Sequence, residues 1–338
     1  MNEWGVIGHD WAVRRLRRAI ERGQLAQSHL FVGPPSVGKA TLALALARAL
    51  LGRDERSRAL VEQRRHPDLL WVEPSSDSEA IKVEQIRELL HALTLAPVES
   101  RHRIAVINEA HLVTDSGQNA ILKTLEEPSP SAMIILIAPH SDALLPTIVS
   151  RCQLLALRPA PVHAVEEALL SRGVAAERAA LIARLSRGRI GWALRAAADD
   201  AALQARAERL SDLRALLSAN RTRRFAYAEK LGRAEPALIA QTLEAWLLLW
   251  RDVARAAGYA APTDALINAD QREWIAELAS ALSISQVASL LRATGRTLRY
   301  LDQNVNARLA LEVLLLKLPH LPSATSNRVE SPRPASAA

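Results

Sequence analysis

The chain has 338 residues, 49% of them hydrophobic and 23% charged. That balance excludes a disordered or fibrous chain, and at roughly 150 residues per domain the length suits two or three domains. The single cysteine, Cys152, excludes an internal disulfide framework and any multi-cysteine zinc site. The formal charge of +7 is uneven, with 19 basic and 18 acidic side chains in residues 1–160 against 24 and 18 in residues 161–338; Arg outnumbers Lys 38 to 5. An Arg-rich surface suits phosphate contact and protein interfaces, and equally reflects a GC-rich genome.

Met1 to Asp10 has neither a basic start nor an apolar stretch, so no signal peptide is expected. Glu244 and Lys317 interrupt the two most apolar segments, and no uncharged run reaches the roughly 18 residues of a membrane span. The expectation is a cytoplasmic protein with no membrane contact.

In chain order, the first half alternates amphipathic helices with short apolar runs, the pattern of a parallel sheet covered by helices. Helices are predicted over Trp11–Arg22, Lys39–Leu51, Val83–Leu93 and Ser116–Glu126, and strands over Leu30–Val32, Leu69–Val72, Ile104–Ile107 and Met133–Ile137. From about Pro161 the β-branched runs disappear and Ala/Leu/Arg stretches of helical period take over. Breaks at Gly188–Gly191 and near Leu210 divide this helical half into a small domain over 161–208 and a larger bundle over 209–318. The Ser/Pro/Ala-rich stretch 319–338 lacks material for a core and reads as a disordered tail.

Gly33-Pro34-Pro35-Ser36-Val37-Gly38-Lys39-Ala40 follows a predicted strand and opens a predicted helix, the context that makes a phosphate loop credible. Its backbone amides can surround a phosphate chain, with Lys39 directed at the β and γ phosphates. The position after the lysine, where a hydroxyl normally holds magnesium, is Ala40. Thr41 is no simple substitute, because one step along a helix rotates the side chain by about 100°. The strand Ile104–Ile107 runs into Asn108-Glu109, where a second nucleotide strand should end in an Asp-Glu pair. Asn108 can hydrogen-bond a hydrated ion but lacks the charge that attracts one. Ala40 and Asn108 are thus two lesions at one magnesium site.

Other residues carry weaker signals. Trp246 and Trp250, four apart in an apolar helix, read as bundle core. Arg14, Arg15, Arg17 and Arg18 surround the apolar Trp11, Leu16 and Ile20 and form either a solvated face or one turned towards DNA. His29, His66 and His111 lack metal-ligand spacing and read as structural. No metal site is expected.

Four further stretches complete the pattern: Ser28-His29-Leu30-Phe31, His66-Pro67-Asp68, Gln118-Asn119-Ala120-Ile121-Leu122-Lys123-Thr124-Leu125-Glu126-Glu127-Pro128, and Ser150-Arg151-Cys152. With the phosphate loop, in this order and over residues 1 to about 158, they resemble the bacterial clamp-loader subunits of the AAA+ class, which open the replicative sliding clamp. The resemblance implies an α/β fold, an AAA+ P-loop parallel sheet domain (1–160), followed by a small helical lid (161–208) and an all-helical collar (209–318). It implies partners too: gamma/tau and delta clamp-loader subunits in a hetero-oligomeric ring, and through the complex the sliding clamp and primer-template DNA. By the same resemblance Arg151, expected at a helix end just before a strand, is an arginine finger acting in trans on a neighbouring subunit's ATP.

The chain also departs from the family. Relatives often carry a four-cysteine zinc module before the His-Pro-Asp segment, whereas Leu51 to Arg65, expected to be a loop, has no cysteine, so no zinc is carried over. A second arginine sensor would fall at Gly191 in Gly188-Arg189-Ile190-Gly191-Trp192-Ala193-Leu194, with Arg189 two residues early. Ala138-Pro139 stands where an active subunit offers a polar first sensor. With Ala40 and Asn108 this predicts ATP or ADP held without hydrolysis, in a subunit that lends Arg151 to the DNA polymerase III complex. The alternatives are an active AAA+ motor subunit of gamma/tau type and a small-molecule P-loop kinase.

Overall fold

The computed structural model describes residues 4–75, 80–258, 266–301, 303 and 305–321. The chain divides into two compact units, Met1–Ala197 and Ala198–Ala338.

In the first unit the elements run α1 (Asp10–Glu21), β1 (Ser28–Val32), α2 (Lys39–Leu51), α3 (Glu55–Glu62), β2 (Leu69–Val72), α4 (Val83–Thr94), β3 (Arg103–Ile107), α5 (Asp115–Glu126), β4 (Ala132–Ala138), α6 (Pro146–Val149) and β5 (Gln153–Ala156). Three helices follow: α7 (Val162–Leu170), α8 (Ala176–Ser186) and α9 (Ile190–Ala198). The five strands form one parallel sheet in the order β2-β3-β4-β1-β5. The α/β class expected from the sequence is therefore the observed one.

Residues in β1, β3 and β4 are buried at every position, as strands covered on both faces must be. Alternate residues feed two separate cores. Phe31, Ile104, Val106 and Ile135 pack with Leu16 of α1 and Leu42 and Leu46 of α2. Leu30, Ala105, Ile134 and Leu136 pack with Ile86 and Leu93 of α4, Ile121 of α5 and Ile148 of α6. In α4 the buried Ile86, Leu89, Leu90 and Leu93 follow the i, i+3, i+4, i+7 stripe of one helical face.

α3 departs from expectation, since 51–65 reads as a loop. Its start is set by a reciprocal cap in which the Asp54 carboxylate accepts from the Ser57 amide at 2.7 Å and Ser57 Oγ accepts from the Asp54 amide at 3.4 Å. A capping box with Ser in place of Glu or Gln escapes the usual pattern.

Among its described residues the second unit has helices and no strand: α10 (Ala201–Ser218), α11 (Arg221–Gly232), α12 (Pro236–Gly258), α13 (Arg272–Ala281), α14 (Ile284–Leu301) and α15 (Ala307–Leu316). Trp246 and Trp250 of α12 are fully buried in its core, and Trp246 Nε1 donates to the Arg209 carbonyl at 2.9 Å. The break expected near Leu210 is absent. Leu210, Leu213, Leu216 and Leu217 are core contacts of an unbroken α10, so the 208/209 boundary falls inside that helix, whereas the units part at 197/198, before the last residue of α9.

Arg224 is buried and donates to the carbonyls of Leu216, Leu217, Leu315, Leu318 and Pro319. It satisfies acceptors left over at the C-terminal ends of α10 and α15, where a cation is also favoured by the helix dipoles. The start of the expected tail is thereby docked, and the Leu321 amide donates to Leu217 O at 2.9 Å. Residues 322–338 lie outside the described residues.

Candidate functional site

The loop from Gly33 to Gly38 joins the end of β1 to the first turn of α2 beneath the carboxyl edge of the sheet, where open α/β sheets bind their ligands. Its path depends on glycine. Gly33 has φ +152°, and a Cβ there would stand 2.3 Å from the Leu157 carbonyl oxygen. Its amide donates to Pro139 O at 3.1 Å, so the Ala138-Pro139 segment supports the loop through backbone. Ser36 takes a left-handed φ of 62°.

Beside the loop lies a cleft of about 320 Å³, lined by Ser36, Gly38, Lys39, Ala40 and Thr41 from the loop and α2 and by Asn108 and Glu109 from the end of β3. Gly33, Pro34, Pro35 and Val37 shape the loop without lining the cleft. Lys39 is buried and donates Nζ to Gly33 O at 2.5 Å and Pro34 O at 3.1 Å. Burial lowers its pKa, against the opposing charge of Glu109.

Residues that sequence reasoning missed complete the walls. Val6 and Ile7 come from the segment before α1, Arg172 follows α7, and Leu194 and Arg195 belong to α9. α9 is fastened to the loop: the Gly191 amide donates to Ser36 O at 2.8 Å and Arg195 to Ser36 Oγ at 2.9 Å. A Cβ at 191 would lie 3.2 Å from Ser36 O, so glycine permits this close approach. Arg189 instead donates through Nε to Ser186 O, leaving Arg195, one turn beyond Gly191, as the α9 arginine at the loop. Helical spacing from Gly191 was the available signal. On the other side, His9 Nε2 donates to Val37 O at 2.8 Å.

Asn108 is engaged sideways. Its Nδ2 donates to Glu73 Oε2 at 3.1 Å, and Glu73 also accepts from Trp71 Nε1 at 2.9 Å and Arg64 at 2.8 Å. Burial works to raise the Glu73 pKa, but these hydrogen bonds and the Arg64 charge hold it below the usual carboxylate range. Glu109 has a left-handed φ of 56° and its carboxylate is 3.5 Å from His111 Nδ1.

Arg151 lies in the short connection between α6 and β5, as expected, and is not among the residues lining the cleft. Its guanidinium pairs with Glu126 Oε1 at 2.7 Å and donates to Thr147 O at 3.0 Å. The structure thus brings the Gln118–Pro128 and Ser150–Cys152 stretches together. Gln118 strengthens this junction, accepting from the Leu145 amide at 3.1 Å while donating to Val113 O at 3.3 Å. In the His66-Pro67-Asp68 stretch, the buried Asp68 carboxylate accepts from the amides of Val98, Glu99 and Ser100, a scaffolding task. Burial pushes the Cys152 thiol up to about 11.

Chemically, a cradle of loop backbone with Lys39, Arg172 and Arg195 nearby suits a phosphate chain, and Val6, Ile7 and Leu194 offer an apolar wall for a base. The same cleft is poor in what a magnesium ion needs. Ala40 has no oxygen to give, and Asn108, whose Nδ2 is given to Glu73, offers only a neutral carboxamide oxygen where a carboxylate would draw the ion. Among the described residues no group of three His, Cys, Asp or Glu side chains is placed to hold a metal ion, and no single helix is long and apolar enough to cross a membrane.

Comparison with known proteins adds two family matches: the model described as DNA polymerase III, delta subunit, over residues 8–161, and the one described as DNA polymerase III, delta subunit, C terminal, over residues 200–320. Among curated proteins the chain is similar to DNA polymerase III subunit delta' of Bacillus subtilis, 34% identical over 182 residues, which covers 52% of this chain and 55% of that protein. It is also similar to DNA polymerase III subunit tau of Escherichia coli, 31% identical over 205 residues, covering 56% of this chain and 31% of that protein. The match thus spans about half the length of the first relative and a third of the second. A crystal structure of a gamma subunit-related protein from Thermotoga maritima aligns over 90% of this chain and 97% of its own, at 16% identity and a TM-score of 0.41, which carries no argument about function.

Proposed function

We propose, from the premise that this chain belongs to the DNA polymerase III delta-subunit family, that it serves as a delta-prime-type subunit of the clamp loader. In this role it holds ATP or ADP without hydrolysing it and donates Arg151 to the ATP site of an adjacent gamma or tau subunit. Its partners are gamma/tau and delta subunits in a ring, and through them the sliding clamp and primed DNA. Residues 161–197 act as a lid over the cleft, and the helices of the second unit as the collar through which subunits join.

The observation that carries this reading is the magnesium corner of the cleft, where Ala40 replaces a hydroxyl ligand and Asn108 is bonded to Glu73. A nucleotide would be held by the loop amides, Lys39 and Arg195. Ala40 and Asn108 supply neither the hydroxyl nor the carboxylate that would fix a magnesium ion, so the charge that develops on a transferred phosphate lacks the metal's share of its stabilisation. Arg151 does not line this cleft and is 36% exposed; to serve another subunit it would exchange its ion pair with Glu126 for that subunit's phosphate. A second reading, an active motor of gamma/tau type, is favoured by the retained Lys39 and Glu109 in the cleft.

Three substitutions separate the readings in the complex assembled with its partner subunits. An arginine finger is worth on the order of 10³ to 10⁵ in rate at the one site it serves, so Arg151→Ala should assemble normally and lower the DNA- and clamp-stimulated ATPase by that site's share. Arg151→Lys, which keeps the charge and loses the planar fork, should be impaired as well. Lys39→Ala should barely change hydrolysis. If instead Lys39→Ala is the damaging change and Arg151→Ala is silent, the chain is itself the motor.

A further inference from the structure

α1 turns one face into the first unit's core through Ala12, Val13 and Leu16. Along the face it leaves outside runs a concave groove of about 430 Å³. Arg14, Arg15, Arg18 and Arg22 line it, Trp11 stands at one end with 41% of its surface exposed, and the Gln153 carboxamide borders it from β5. No carboxylate lines the groove, and among the described residues none of these four guanidiniums has an ion-pair partner. Arg17 differs. It pairs with Glu21 at 3.7 Å and does not line the groove.

Trp11, Arg15, Arg18 and Arg22 stand at i, i+4, i+7 and i+11, with Arg14 beside them, so one helical face carries them all. From Arg14 to Arg22 the helix rises about 12 Å. Uncompensated like charges three and four residues apart destabilise the helix that bears them; a row of four, with no acid supplied by the surroundings, calls for an anion from outside.

We propose that this groove binds one single strand of nucleic acid, with its phosphates on the four arginines and a base stacked on Trp11. Guanidinium forks match phosphate oxygens, and an exposed aromatic ring next to a basic track is how unpaired bases are held without sequence preference. A duplex fits less well: α1 is embedded along its length by Ala12, Val13 and Leu16 and so cannot enter a major groove as a projecting helix. The inference needs only the first unit and stands apart from the clamp-loader reading, because it is tested on the isolated chain.

The test is fluorescence anisotropy of the full-length protein with a labelled oligothymidylate, repeated over a series of salt concentrations. Four neutralised phosphates give a slope of log K against log salt of about −3 for a single strand. The triple variant Arg14→Gln/Arg18→Gln/Arg22→Gln should lose at least tenfold in affinity and flatten the slope by about 2. Trp11→Ala should lose at least fivefold with the slope unchanged. Arg17→Gln, outside the groove, should bind within twofold of the parent. All these side chains are at the surface, so circular dichroism and melting should match the parent. Wild-type binding by the triple variant, no loss with Trp11→Ala, or tighter binding to a duplex of equal length or to polyglutamate than to the single strand would each overturn the proposal.

Discussion

His29 sits in β1 with no exposed surface, its ring 6.0 Å from Phe31. Burial is the main reason its pKa is lowered from 6.5 to about 4, with the nearby Arg15 acting the same way against the opposing pull of the Ala26 backbone. Unfolded, the imidazole takes up a proton from about pH 6.5; folded, only near pH 4. In that window the unfolded state binds more protons, so stability is complete above pH 6.5 and falls as pH drops towards 4. A shift of this size is worth on the order of 3 kcal/mol. Urea unfolding of the parent should weaken across the window, and His29→Leu should remove most of that slope; parallel profiles for the two proteins would show that His29 is not its source.

Asn108 illustrates the same residue-scale logic for the cleft. Restoring Asp there would place a second carboxylate about 3 Å from Glu73, in the place of the present amide donor, and two carboxylates at that range resist joint ionisation. Nucleotide binding to the parent, measured by calorimetry, should be nearly equal in magnesium and in chelator. Ala40→Thr/Asn108→Asp should gain little unless Glu73→Gln is added, after which a magnesium-dependent gain of tenfold or more is expected. A large magnesium effect in the parent would contradict the account of this corner.

Among the elements, α15 holds one face in the core through Ala310, Leu311, Leu314 and Leu315. It exposes another, Leu309 at 57%, Val313 at 56% and Leu316 at 48%. These three stand at i, i+4 and i+7, one stripe on a helix whose amphipathic pattern is otherwise satisfied. If the second unit joins subunits, this stripe is the part of α15 with apolar area to bury. Leu309→Asp/Val313→Asp should leave the melting temperature within a few degrees of the parent and shift the chain out of the assembled complex on size exclusion. Co-elution at parental stoichiometry would place the contact elsewhere.

At the scale of the whole molecule, the division at 197/198 makes the proposed division of labour between the two units testable. The first unit has its own sheet and two cores, and the second is built around the buried Trp246 and Trp250. A chain ending at Ala197 should fold cooperatively and retain nucleotide binding while failing to join the complex. Removing residues from Ser323 onward should leave assembly intact, because the docked end of the chain, Pro319 to Leu321, remains. Loss of the complex on that short deletion, or its survival on the long one, would reverse the assignment.

The sequence by itself determined the class of the fold, the strand–loop–helix setting of Lys39 and the placing of Arg151 between a helix and a strand. Each depends on neighbours in the chain: apolar period, glycine at a turn, a strand read as an unbroken apolar run because both its faces are covered. It could not determine α3, whose capping box uses a serine, nor the continuity of α10, whose core leucines run through the expected break. Only the tertiary structure decided that Arg195, rather than Arg189, meets Ser36, that Glu73 occupies the amide of Asn108, and that Glu126 holds Arg151. Those partners are 159, 35 and 25 residues apart in the chain, and no local pattern encodes which side chains the packing of a sheet and its helices will bring within hydrogen-bond reach.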